Sequence, residues 1–310
     1  MEIQTAAKLK EVLTLMEEGR PEEAQKIIAP LFEYDLACEE LIYTNRCCVY
    51  WIESNRRLKS FEDPYEKGEN LLAEWKSYKD FISREGKSFE PANFAVQKGF
   101  FSNALKEFEK LFEGKNTFQR AEAYKNAGIC TKELGDYEKA QELIKKSTSL
   151  YPESASAIAE LADCYCLCGD ERIGKLLFRE AFFINPEAIY LEFLESELIK
   201  YLIKTCGEKG YSGRQLQYWI PIYGVLNGIL TVKRDLTSQE VAKLMNNVFA
   251  MESEYKDPCC DSKILVPKLL NHYFWLIDHY MKHGDNRAKV SETLLKVKIL
   301  DSSIYELYTR

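Results

Sequence analysis

Apolar side chains along this chain return at intervals of three and four, the spacing of one face of a helix. "ELIYTNRCCVYWIESNRRL" (40–58) and "PYEKGENLLAEWKSYKDFIS" (64–83) both carry such a stripe between polar faces. "EAIYLEFLESELIKYLIKT" (187–205) reads as one further long helix ending at Cys206-Gly207. Proline and glycine punctuate the pattern near Asp63-Pro64 and Glu90-Pro91, and "GEKGYSGRQ" (207–215) reads as a loop. No strand-like alternation persists, so the expected class is all-α.

The pattern also repeats. "AEAYKNAGICTKELGDYEKAQELIKKSTSLYP", from Ala121, aligns with "ASAIAELADCYCLCGDERIGKLLFREAFFINP", from Ala155, at an offset of 34. Gly135-Asp136 falls on Gly169-Asp170, Pro152 on Pro186 and Cys130 on Cys164. Small residues pair with small ones: Gly128 with Ala162, Ala140 with Gly174, Ser147 with Ala181. Large Ile144 pairs with Phe178. A helical hairpin accounts for this arrangement. Small side chains let two helices approach, Gly-Asp ends one helix and caps the next, and proline stops the second.

These residues resemble the tetratricopeptide repeat (TPR) family over Ala121 to Ala188. Thr131 stands where the family prefers a bulky aromatic, and Tyr124 and Ile158 occupy the place of its tryptophan. Weaker echoes are Glu17–Phe32, which carries the hairpin turn, Ala24 and a following apolar stripe, Gln97–Phe112, which carries the same turn and stripe with Gly99, Phe101, Ala104 and Phe108, and a last hairpin turning at Gly284-Asp285. The resemblance implies a TPR-like α-solenoid with additional non-repeat helices. Residues 1–116 would form a helical region of degenerate hairpins, 117–188 two repeats, and 189–310 a helical region ending in a hairpin, all in one continuous solenoid.

Composition changes the picture little. Of 310 residues 46% are hydrophobic and 29% charged, the balance of a folded protein. The formal net charge of −7 argues against nucleic acid, and the cluster Lys145-Lys146 reads as solvated surface. The first residues hold no continuous apolar core, so no signal peptide is expected. "QLQYWIPIYGVLNGILTV" (215–232) is an 18-residue uncharged run. It holds Gln, Asn, Pro and Gly, so it reads as a buried element rather than a membrane span.

Ten cysteines lie mostly among apolar residues, where a free thiol acts as a small hydrophobe; the reading is a reducing, cytoplasmic compartment. In "CYCLCGD" (164–170) Cys166 points away from Cys164 and Cys168 on a helix, which does not suit one metal ion. Cys164 is read as core, and Cys166 as facing the concave surface. "DPCCD" (257–261) lacks a second cysteine pair. His272, His279 and His283 form one helical stripe and are the metal candidates, but the stripe borders an apolar arc and packing is the favoured reading. No dinucleotide fingerprint, phosphate-binding P-loop or nucleophile elbow occurs, so neither an enzyme nor a cofactor is expected.

Resemblance to the family implies a protein-binding scaffold or adaptor that holds a peptide or partner helix in a concave groove. Carried over by position, the groove would present Glu122, Lys125, Asn126, Ile129 and Lys132, then Ser156, Ala159, Glu160, Asp163 and Cys166. The family's carboxylate-clamping subtype fits poorly, because Ile129 replaces an expected Asn and Glu160 and Asp163 repel a carboxylate. The alternative is an assembly component that binds, at a membrane or a partner, through an aromatic surface at Tyr218, Trp219 and Tyr223. If that run is buried, it is core joining the repeats to the last hairpin.

Overall fold

The computed structural model describes residues 3–32, 38–84, 86, 88–282 and 287–310, and among these there are helices and turns but no strand. The chain packs as two compact units, Met1–Tyr151 and Pro152–Arg310. The first holds α1 (Ile3–Glu17), α2 (Pro21–Leu31), α3 (Glu39–Leu58), α4 (Pro64–Ser83), α5 (Glu90–Glu109), α6 (Thr117–Glu133) and α7 (Tyr137–Leu150). The second holds α8 (Ala155–Leu167), α9 (Glu171–Ile184), α10 (Glu197–Glu208), α11 (Gly213–Leu226), α12 (Ser238–Glu254), α13 (Ser262–Lys282), α14 (Arg287–Leu300) and α15 (Ser302–Thr309). Helices adjacent in sequence pack in pairs, most closely α6 on α7 and α8 on α9.

Those two hairpins keep the 34-residue offset at three boundaries. Helices end at 133 and 167, restart at 137 and 171, and end again at 150 and 184, two residues before each proline. Gly135 and Gly169 adopt φ of +90° and +89°, where an L side chain is strained. Asp136 N–H reaches back to Thr131 O at 3.1 Å and Asp170 N–H to Tyr165 O at 2.8 Å, closing the helix ends. The aspartates then accept from Lys139 N at 3.1 Å and Ile173 N at 3.3 Å, opening the next helices. The α1/α2 turn uses the same closure, with Gly19 at φ +79° and Arg20 N–H on Leu15 O at 2.9 Å.

The helix contact inside each hairpin uses one pair of positions with its residues exchanged. A Cβ on Gly128 would lie 2.3 Å from Ile144 Cγ1 and 3.2 Å from Ala140 O; one on Gly174 would lie 2.2 Å from Cys166 Sγ and 2.8 Å from Ala162 O. Gly faces Ala in both hairpins, but the glycine sits on the first helix in one and on the second in the other.

Two expectations are corrected. The turn expected at Gly99 does not form, because α5 runs unbroken through it to Glu109. This glycine serves close packing instead: a Cβ there would lie 1.9 Å from Trp51 Cη2 and 2.4 Å from Met16 O. The single long helix expected over 187–205 is broken into two 3-10 turns, Pro186–Ala188 and Leu191–Phe193, before α10 begins at Glu197. The break follows from capture of the Glu195 and Ser196 N–H groups by the Asp163 carboxylate, each at 2.8 Å.

Candidate partner-binding surfaces

The groove positions on α6 lie inside the first unit. Lys125, Asn126, Ile129 and Lys132 are buried, and Glu122 is half-buried. Lys125 is only 3% exposed, and its ammonium is neutralised by Glu122 Oε2 at 2.5 Å. The Asn126 amide donates to Glu69 Oε1, so a side chain of α4 occupies the polar face of α6. A buried ammonium needs such a partner, because desolvation alone costs several kcal/mol (~2 or more).

On α8, Ser156, Ala159, Glu160 and Asp163 are buried and Cys166 is half-buried. Both Asp163 oxygens are engaged by the backbone N–H groups at 195 and 196, so this carboxylate organises the segment that crosses it. Cys166 packs against Gly174, and burial pushes its thiol up to about 12, which removes thiolate character at neutral pH. Eight of the ten carried-over positions are thus buried, with the two half-buried ones at the margins.

The aromatic run takes the buried branch of its two readings. Tyr218, Trp219 and Tyr223 are each less than a tenth exposed. Trp219 stacks on Tyr211 at 4.6 Å, and Tyr218 Oη donates to Glu187 Oε1 at 2.9 Å. Trp219 and Tyr223 anchor α11 in the core of the second unit. Among the described residues no helix is long and apolar enough to cross a membrane.

His272 is buried with Nδ1 2.8 Å from Lys268 O, so Nδ1 carries the proton and donates. Burial lowers its pKa to about 4, which keeps the ring neutral. His279 is half-buried, and His283 lies outside the described residues, as does the expected Gly284-Asp285 turn. Among the described residues no three His, Cys, Asp or Glu side chains are grouped to hold a metal. Cys130 and Cys164 are buried core thiols, while Cys168 and Cys259 are exposed.

Two polar arrangements escape local sequence reading because their parts are far apart in the chain. In the second unit Arg179 pairs with Asp278, which also takes Lys233 at 2.5 Å. Arg234 is held between Glu180 at 2.9 Å and Glu240 at 2.7 Å. Arg179 and Arg234 lie 5.0 Å and 5.8 Å from the Trp275 ring centroid. In the first unit an open hollow of about 340 Å³ is lined by Arg120 and Tyr124 of α6 and by Lys145, Lys146, Ser149 and Leu150 of α7. Its sequence signal was the Lys145-Lys146 pair, which gains meaning only once α6 brings Arg120 beside it.

No protein-family model matches this sequence, and no curated protein matches it either.

Proposed function

We propose that this chain is a non-enzymatic scaffold or adaptor of TPR-like construction, each unit a short run of helical solenoid that holds a peptide or partner helix. The supporting observation is the hairpin that recurs at 34 residues with the same glycine closure, aspartate cap and Gly–Ala helix contact. Repeated hairpins of this kind build extended faces whose partner contacts lie on side chains outside the shared packing. The polar groups inside the inward faces have structural work. Asn126 is tied to Glu69, Asp163 holds the 195–196 backbone, and the Cys166 thiol stays protonated. A partner therefore engages the margin of one such face, at Glu122 in the first unit or at Cys166 in the second, rather than its buried centre.

The test is capture from the native host's extract on the immobilised chain, with an unrelated helical protein of equal charge as reference. A protein retained saturably and near one-to-one, and released by the free chain, is the expected result. Retention no better than the reference's would overturn the scaffold reading.

A further inference from the structure

We propose that the hollow where α2, α3, α4 and α5 meet in the first unit is a binding site for a small molecule of nucleoside-phosphate chemistry: a phosphate, a hydroxyl-bearing sugar and a flat heterocyclic base. The inference goes beyond the scaffold reading and does not depend on it.

Size and apolar lining come first. The hollow measures about 650 Å³, within the range of sites that take one small organic molecule. Its apolar lining is Leu58 and Leu71, both buried, and Phe61 in the link between α3 and α4, half-buried. An aromatic ring beside an aliphatic patch offers a seat for the flat face of a base.

The polar lining divides into groups the fold engages and groups it leaves open. Lys67 donates to Glu107 Oε1 at 2.9 Å and Lys110 to Glu107 Oε2, so this buried carboxylate already serves two ammonium groups. Among the described residues no ion pair holds Lys59, Lys106 or Glu22, and no hydrogen bond occupies the side-chain amide of Asn55 or Asn103. With Glu107 shared in this way, Lys59 and Lys106 face Glu22 alone, and an anion placed beside them is favoured. Both amides are half-buried, on facing walls made by α3 and α5. Asn103 is packed tightly against the α1/α2 turn, where a Cβ on Gly19 would lie 2.5 Å from its Nδ2.

The three kinds of open group select the ligand. Ammonium groups take a phosphate as point charges. A primary amide sets a donor beside an acceptor, the complement of a base edge. A carboxylate accepts from sugar hydroxyls. Inorganic phosphate would use only the first of these, and a sugar phosphate would leave the ring seat at Phe61 empty.

The test is isothermal titration calorimetry of the full chain with ADP, GDP and UDP in turn, set against pyrophosphate, adenosine and glucose 6-phosphate. At least one nucleotide is expected to bind one-to-one and ~10-fold or more tighter than any of the three fragments, because linked parts bind as one. Lys59→Glu with Lys106→Glu is expected to weaken that binding at least ~10-fold, Phe61→Ala at least ~5-fold, and Asn55→Ala with Asn103→Ala ~5- to 10-fold. Lys243→Glu with Lys263→Glu, an equal charge change on exposed residues of the second unit, is expected to leave it unchanged. Should the charge reversal lower helicity, Lys59→Gln with Lys106→Gln must give a smaller loss in the same direction. Absence of nucleotide binding, a fragment that binds as tightly as the nucleotide, or equal loss in the control pair would overturn the proposal. So would tighter binding of an acidic peptide, DEDEDED, through the same residues. A failed nucleotide leaves host capture unaffected, so the two readings fall separately.

Discussion

Gly99→Ala is a sharp probe of the packing in the first unit, because two opposed effects meet at one methyl group. Replacing glycine by alanine within a helix ordinarily stabilises it by about 1 kcal/mol. Here the new Cβ would lie 1.9 Å from Trp51 Cη2 and 2.4 Å from the Met16 carbonyl oxygen. Ordinary contact needs about 3.5 Å, so the indole must retreat by roughly 1.5 Å and α1 by about 1 Å. Trp51 has nowhere to go: it is fully buried and stacked on Phe100 at 4.9 Å. Overpacking of this kind costs about 1–3 kcal/mol and sometimes more. A displaced carbonyl and a displaced indole together place it at the upper end, so the clash outweighs propensity by about 2 kcal/mol. The matched reference is Gly207→Ala, in α10, where a Cβ would meet nothing within 4 Å and φ is not positive. That change keeps the propensity gain, reduced near the helix end to a few tenths of a kcal/mol or about 1 at most. Urea unfolding followed by far-ultraviolet circular dichroism reads both variants. The expected result is a lower midpoint for Gly99→Ala and an equal or higher one for Gly207→Ala. A neutral or stabilised Gly99→Ala would refute the close approach of α1, α3 and α5.

Other expectations follow from single contacts. Asp163→Ala strands a buried N–H group at 196 and a part-buried one at 195, and should destabilise by about 2–3 kcal/mol and raise amide exchange there, with Asp163→Asn intermediate; unchanged exchange would contradict the assigned bonds. His272 has its pKa lowered from 6.5 to about 4, so the unfolded chain takes up a proton first as pH falls. Stability from its neutral burial is complete above pH 6.5 and lost progressively down to about 4, by roughly 3 kcal/mol in all; stability against pH should flatten over that window in His272→Gln. Glu240, held down to about 2 chiefly by Arg234, adds a contribution present above the usual carboxylate range and lost as pH drops from about 4.5 towards 2. This pair is half-buried, so its effect should shrink only in part with added salt. Under native alkylation Cys168 and Cys259 should label first, Cys166 slowly, and Cys130 and Cys164 only on unfolding.

Much of the fold was legible because it rests on local chemistry. The Gly-Asp pairs at 135–136 and 169–170, followed by proline after about sixteen residues, announce a glycine closure, a cap and a stop. Helix α4 occupies the 64–83 span that its apolar stripe and Asp63-Pro64 start imply. Glycine at 99 misleads because a residue that frees the backbone for a turn also frees space for a neighbouring helix. Only the distant Trp51 and Met16 decide which use applies. The 187–205 segment has a helical stripe, but the Asp163 carboxylate, some thirty residues earlier, captures its backbone and delays the helix to Glu197. Burial of the groove positions was hidden for the same reason. Nothing near Asn126 or Asp163 in sequence reveals that Glu69 or the 195–196 backbone will lie on them.

The most direct measurement is a cross-linking map of this chain bound to the partner that host capture identifies. For a scaffold working through its repeated hairpins, cross-links should gather on the hairpin helices, either α6 and α7 of the first unit near Glu122 or α8 and α9 of the second near Cys166. A stoichiometric partner whose cross-links fall only on α10 to α15 would contradict that claim.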